Sequence, residues 1–175
     1  QKNELYQLET DWFQGISLPY NNDKYAMALF TTKNDIPIDS LIEYFDNDNW
    51  NQHINQLVKD TAYIEIPKFK TGYKKLLNEG LMNLGMENAF SPHLADFSRI
   101  SSLEDLHINR IIHQTVLQVD EAGSEAAGAT IVEFYNTSVD QPFQLILNKP
   151  FIFMIYNKLD NCIVFSGKIS NPCFE

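Results

Sequence analysis

The feature that most constrains the fold is a stretch of about 20 residues between Glu121 and Pro142, which separates two segments rich in strand-forming residues. Connections of this length are uncommon in compact domains unless they are functional. The stretch begins with small residues, 123–130 (GSEAAGAT), and continues into strand formers, 131–135 (IVEFY). A flexible linker would explain the small residues but not the strand formers after them. The pattern therefore indicates a segment that is a loop in one state and a strand in another.

The rest of the chain predicts short strands mixed with short helices, which is an α+β fold. The predicted strands are Phe13–Tyr20, Tyr25–Thr32, Thr61–Lys70 with an interruption at Pro67, Leu106–Val119, Gln144–Leu147, Phe151–Tyr156 and Ile163–Ile169. The last two are nearly continuous in apolar residues, so we expect them to be buried on both faces.

Three helices are predicted from apolar spacing and terminal residues. They are Ser40–Phe45 with Asp39 as its cap, Asn49–Val58 with Trp50, Ile54, Leu57 and Val58 on one face, and Tyr73–Leu84 ended by Gly85.

Composition excludes several classes of function. The chain has 175 residues, 44% of them hydrophobic, and a net charge of −10. The acidic balance disfavours nucleic acid and anionic membranes as partners, because phosphate binding needs clustered Lys and Arg. No apolar run approaches the roughly 20 residues that cross a bilayer. We therefore expect a globular protein with one sizeable core and no membrane partner.

The residues that carry metal or catalytic chemistry form no recognisable motif. The histidines, which are His53, His93, His107 and His113, are scattered and have no zinc spacing with the cysteines. Cys162 and Cys173 flank a predicted strand that would hold them roughly 35 Å apart, so we expect no disulfide between them. No nucleophile–base arrangement is visible, so we expect neither an enzyme nor a metal or cofactor.

Several motifs together resemble the serpins, a family of suicide protease inhibitors. Residues 119–129 (VDEAGSEAAGA) are similar to the serpin hinge, V-D-E-x-G-[TS]-E-A-A-[AG]-[AT], and residues 164–172 (VFSGKISNP) to the final serpin strand. Further similar segments, in the order of the family, are 18–20 (LPY), 66–70 (IPKFK), 84–86 (LGM), 89–91 (AFS), 95–98 (ADFS) and 148–153 (NKPFIF). The resemblance covers nearly the whole chain.

The resemblance implies that residues 1–175 are the C-terminal portion of a single serpin domain. Serpins are roughly twice as long, so we expect a fragment, a split polypeptide or one piece of an assembly. The implied partners are a target protease and the missing N-terminal half. An extracellular location is expected, with a cytoplasmic one as the alternative.

In serpins the reactive-centre loop, here 121–142, is cleaved by the protease and then inserts into a large sheet. The hinge residues implied by the resemblance are Glu121, Gly123, Ser124, Glu125, Ala126, Ala127, Gly128 and Ala129. Their small side chains fit a segment that must slide between two strands. No proline lies between Glu121 and Gln141, so no ladder donor is missing.

The family's usual spacing places the scissile bond at Thr137–Ser138. The distance to Asn148 is longer than usual, so the neighbouring positions Tyr135, Asn136 and Val139 stay open as alternatives. Tyr135 would favour chymotrypsin-like proteases, and Thr137 or Val139 elastase-like ones. The loop contains no Arg or Lys, so we do not expect a trypsin-like target. A glycosylation sequon starts at Asn136.

The resemblance also implies roles for residues outside the loop. Lys68 and Glu121 match positions that form a salt bridge where insertion begins, and His113 matches a strand histidine that bonds across the sheet. Two alternatives to inhibition remain open. One is a non-inhibitory serpin that acts as a carrier or folding helper, and the other is an isolated interaction fragment.

Overall fold

The structure, a computed structural model, describes residues 4–21, 23–101, 106–119 and 142–172. It divides into two compact units, the first comprising Gln1–Phe69 with Val119–Glu175 and the second Lys70–Gln118. The hinge and the predicted scissile bond lie outside the described residues. Within the described part, no helix is long and apolar enough to cross a membrane.

Strands dominate the described residues. They are β1 (Glu4–Glu9), β2 (Phe13–Pro19), β3 (Tyr25–Thr32), β4 (Val58–Glu65), β5 (Phe69–Leu76), β6 (Ile112–Val119), β7 (Phe143–Ile146), β8 (Phe151–Asn157) and β9 (Ile163–Ile169). Seven of them form one sheet in the order β7-β4-β1-β2-β3-β8-β9, and β5 pairs with β6 in a two-stranded sheet. The helices are α1 (Ile38–Tyr44), α2 (Asn47–Asn55) and α3 (Asn78–Leu81). The α+β prediction is confirmed.

The core of the first unit lies on both faces of β3 and β8. These strands pair antiparallel, with Ala28 opposite Met154 and Phe30 opposite Ile152. The face that carries these four side chains is covered by α1 and α2, which contribute Leu41 and Trp50 among other residues. Nearly every residue of β3 and β8 is buried. Each fully buried large apolar side chain contributes roughly 1.5–3 kcal/mol relative to an exposed one, so these two strands supply a large share of the unit's hydrophobic stabilisation.

The opposite face of β8 carries aromatic residues. The Phe69 ring contacts the Phe151 and Phe153 rings at centroid distances of 5.6 Å and 6.0 Å. Phe165 of β9 stacks on Phe153 at 6.0 Å. Phe69 is the last residue of the first unit, and these contacts fix where the chain leaves the core.

The helix predictions for the first unit were partly wrong. Asp39 lies inside α1, after Pro37 in the cap position, and its carboxylate forms an ion pair with Lys168 at 2.6 Å. The second helix begins two residues earlier than predicted and is capped by Asp46, which accepts a hydrogen bond from the Asn49 amide. Val58 is not on its apolar face, because it begins β4 and is 62% exposed. Pairing with β1 therefore extends this strand into the predicted helix.

The predicted helix Tyr73–Leu84 was wrong. Tyr73 lies in β5, and helical structure begins only at α3, which continues through a π-helical turn, Met82–Met86, and a 3-10 turn, Glu87–Phe90. The i, i+3 and i+4 apolar spacing was matched by chance, because pairing with β6 determines the conformation here. Gly85 does have a left-handed φ of 96°, as expected of a residue that interrupts a helix.

Two strand predictions also needed correction. β6 begins at Ile112 and not at Leu106. β9 is not buried on both faces: Ile163 and Val164 are 39% and 56% exposed, because among the described residues this strand lies at the sheet edge and pairs only with β8. The interruption at Pro67 is confirmed, since β4 ends at Glu65 and β5 begins at Phe69.

Candidate functional site

The predicted reactive-centre loop is flanked by two strands of different sheets. β6 ends at Val119 and belongs to the two-stranded sheet, whereas β7 begins at Phe143 and belongs to the seven-stranded sheet. Residues 120–141, with the hinge, Thr137, Ser138 and the alternatives Tyr135, Asn136 and Val139, lie outside the described residues. Their assignments therefore stay predictions.

The strand after the loop, β7, is fixed to the core of the first unit. It pairs in parallel with β4, with Ala62 opposite Phe143. Leu145 and Leu147 are fully buried, and the Leu147 amide donates to the Glu65 carbonyl at 2.9 Å. The Gln14 side chain also donates to the Gln144 carbonyl at 3.3 Å. Apolar burial and ladder bonds thus hold the chain immediately after the predicted loop.

The strand before the loop, β6, is held less firmly. It pairs with β5 on one side, and no second strand pairs with it among the described residues. Thr115 and Leu117 are half-buried and alternate with exposed residues. A Cβ atom at Gly72 of β5 would lie 3.9 Å from the Thr115 carbonyl, an ordinary contact. Within the described part, β5 is therefore the one strand that pairs with β6.

Lys68 lies between two anchored residues. Pro67 is fully buried, and Phe69 packs on the β8 aromatic rings, whereas Lys68 itself is exposed. The two neighbours thus fix the backbone on either side of the exposed Lys68 side chain. Its predicted partner Glu121 lies outside the described residues, so the salt bridge stays a prediction.

His113 lies on β6 within the second unit. It is exposed, and its ring contacts Tyr73 of β5 at a centroid distance of 6.3 Å. The contact shows that these two side chains share one face of the two-stranded sheet. The role implied for His113, a bond across a larger sheet, is not tested by this geometry.

Other candidate chemical groups stand apart from the predicted loop. Cys162 is an exposed free cysteine, and Cys173 lies outside the described residues. Within the described ranges, no three His, Cys, Asp or Glu side chains group as metal ligands. The ion pairs that involve Lys33, Lys59, Lys158 and Lys168 are on the surface, where each contributes at most about 1 kcal/mol.

Sequence reasoning missed two polar contacts that position the strands and helices. The Ser17 hydroxyl is buried and bonds the Tyr156 hydroxyl at 2.9 Å, and burial raises the pKa of the Tyr156 phenol although this bond opposes the shift. The Trp50 indole N–H donates to the Asn161 carbonyl at 2.7 Å. The available sequence signal for the Ser17–Tyr156 contact was a serine within an apolar strand. The Trp50–Asn161 contact had no such signal.

Comparison with known proteins gives the family. The family model described as serpin (serine protease inhibitor) matches residues 1–172. A serine protease inhibitor from Cyanea capillata is 31% identical over 160 residues, which cover 90% of this chain and 42% of that protein. An uncharacterized serpin-like protein from Methanosarcina acetivorans is 35% identical over 176 residues, which cover 95% of this chain and 40% of that protein.

Solved structures agree on the fold. The native state of tengpin, a thermophilic serpin, matches with a TM-score of 0.75 and 28% identity, over 95% of this chain and 44% of the tengpin chain. The chain thus spans less than half the length of the relatives it matches. The prediction of a partial serpin fold is confirmed by this likeness.

Proposed function

Because this chain belongs to the serpin family, we propose that it is the C-terminal portion of a protease inhibitor of the suicide-substrate type. Residues 121–142 would be its reactive-centre loop. The main structural support is the way the flanking strands are held. β7 is anchored in the core, whereas one edge of β6 has no strand beside it among the described residues. A loop that follows β6 and folds back antiparallel would meet that edge.

The chemistry of trapping is performed by the target protease. Its catalytic nucleophile attacks the carbonyl carbon of Thr137, the bond from that carbon to the Ser138 nitrogen breaks, and the Ser138 amine leaves with a proton. Residue 137 remains joined to the protease as an acyl ester, or as a thioester if the protease uses cysteine. The inhibitor therefore contributes a substrate and no catalytic group of its own.

Insertion of the cleaved loop would then prevent deacylation. A strand of about 15 residues, at about 3.3 Å per residue, moves the attached protease on the order of 50 Å. New ladder bonds with β6 and burial of loop side chains would drive the movement. The small residues of the hinge, 121–129, support this proposal because they would pass between strands with little steric resistance.

The loop composition suggests the class of target. No Arg or Lys lies between residues 121 and 142, so we propose a chymotrypsin-like or elastase-like protease and not a trypsin-like one. We further propose an extracellular site of action. Because the chain spans less than half the length of its relatives, we propose that the active inhibitor includes an N-terminal portion as a partner.

The test uses the complete protein with chymotrypsin-like, elastase-like, trypsin-like and papain-like proteases. We expect an SDS-stable complex with a chymotrypsin-like or an elastase-like protease. The released C-terminal peptide should have the mass of a chain that begins at Ser138. Thr137→Arg is the matched variant and should transfer complex formation to trypsin-like proteases. Clean turnover with every protease would contradict inhibition and favour the carrier or folding-helper alternative. A peptide that begins elsewhere would correct the scissile bond only.

A further inference from the structure

The strongest unexplained feature of the first unit is a buried histidine beneath its two helices. His53 lies in the last turn of α2 and is only 6% exposed. Its ring meets Phe13 of β2 edge-on at 5.0 Å and Phe45 at 6.1 Å. The Tyr44 ring of α1 lies 5.7 Å away. The imidazole therefore fills the space where α1, α2 and β2 come together.

The two ring nitrogens of His53 differ in their surroundings. Nε2 forms a hydrogen bond of 2.9 Å with the Tyr44 hydroxyl. Nδ1 is buried and has no hydrogen-bond partner among the described residues. A neutral imidazole can leave Nδ1 unprotonated, but an imidazolium carries N–H donors on both nitrogens. In the folded unit Nε2 has the Tyr44 oxygen as its partner, whereas Nδ1 has no hydrogen-bond partner among the described residues.

No carboxylate compensates the protonated ring in the described contacts of His53. The acidic residues on or beside the packed segments are exposed; they are Asp11, Asp39, Glu43, Asp46 and Asp48. Two of them have other partners, since Asp39 pairs with Lys168 and Asp46 caps α2. β2 contains no charged residue, and Tyr44 is the titratable group that touches the ring.

The pKa of His53 is lowered by burial, and two other features of its surroundings act in the opposite direction. Burial lowers the pKa of the imidazole, and the Gln56 side chain partly opposes this shift. The position in the last turn of α2 also favours a cation, because helix C-termini carry partial negative charge. Burial is the largest influence, so the neutral ring is the form that the folded unit accommodates.

We propose that His53 makes the packing of α1 and α2 against β2 sensitive to acid, because protonation at Nδ1 places an N–H donor without an acceptor inside the aromatic cluster. The ring then leaves its site and the two helices separate from β2. The inference rests on the first unit alone and does not depend on the proposed inhibitory function.

The direction of the pH effect follows from the pKa being lower in the folded state than in the unfolded one. Above the ordinary histidine pKa of about 6.5, both states are neutral at His53 and the packing is intact. As the pH falls below that value, the unfolded state binds a proton more readily. The stability of the helical layer is therefore lost progressively between about pH 6.5 and the lower folded-state pKa.

The test is hydrogen exchange of the complete protein between pH 7.5 and 5.0, followed by mass spectrometry and corrected for the chemical exchange rate. Peptides from residues 38–57 should lose protection as the pH falls through the ordinary histidine pKa of about 6.5. Peptides from β3 and β8 should not. His53→Gln should abolish the change, and the exposed His93→Gln is the matched control that should keep it.

Two results would overturn the inference. One is an equal loss of protection in the wild-type protein and in His53→Gln, or no loss in the wild-type protein. The other comes from the wild-type protein labelled with ¹³C at histidine Cε1, which needs no folded variant. Titration of the His53 signal at the ordinary histidine pKa of about 6.5 would show that the buried ring accepts its proton without penalty.

Discussion

Gly167 of β9 lies directly opposite Phe153 of β8, and a Cβ atom on Gly167 would come within 2.5 Å of the Phe153 ring. The ring needs the missing side chain, because Phe153 is 1% exposed and is also in contact with Phe69 and Phe165. The glycine of the F-x-G-K sequence is therefore required by the packing of Phe153 with Phe69, the residue that follows Lys68.

Gly167→Ala should lower the free energy of unfolding by about 1–3 kcal/mol, because the added methyl group forces the Phe153 ring or the β9 backbone to move. Urea denaturation of the complete protein measures the loss. Gly80→Ala in α3 is the matched control, since nothing lies within 4 Å of its Cβ position. That substitution should be neutral or stabilise by up to about 1 kcal/mol. Equal effects would contradict this account of Gly167.

Trp50→Phe should be more destabilising than Trp12→Phe by about 1–2 kcal/mol, because it leaves the Asn161 carbonyl without its indole donor. Both substitutions remove a similar volume from aromatic clusters beneath α1 and α2. The comparison uses chemical unfolding of each variant. If the two losses are the same, packing and not the hydrogen bond would account for the contribution of Trp50.

The predicted pair Lys68–Glu121 can be measured by a double-mutant cycle with alanine at each position. Lys68 is exposed, so we expect a coupling free energy of up to about 1 kcal/mol, which should decrease as salt is added. Thermal unfolding of the four proteins provides the measurement. Lys70→Ala with Glu121→Ala is the control cycle and should show no coupling. A coupling free energy near zero in the first cycle would show that Lys68 does not pair with Glu121.

Ser124→Arg should convert the protein from an inhibitor into a substrate, because a long charged side chain at the hinge opposes insertion between strands. The protease should still cleave the loop, and the amount of SDS-stable complex should fall at least about tenfold. This ratio corresponds to a change of about 1.4 kcal/mol in the activation free energy of insertion relative to that of deacylation. Ser124→Thr is the matched control and should keep full inhibition. Undiminished trapping by Ser124→Arg would exclude the hinge role.

The strands that carry the core could be predicted because their signals are local. In β2 and β3, apolar residues lie on both sides of a turn, and the two predicted strands were found with nearly the same bounds. The segment from Tyr73 could not be assigned in this way. Its apolar spacing fits a helix, and the decision came from pairing with β6, whose residues lie some 40 positions further along.

The sequence by itself determined the family resemblance and the composition of the predicted loop. Small residues, the absence of proline and the absence of basic residues are properties of neighbouring positions and need no partner to be recognised. Tertiary structure alone decided which residues meet across the sheet, such as Gly167 with Phe153 and Trp50 with Asn161. It also decided which residues surround His53, since Phe13 and Tyr44 come from β2 and α1.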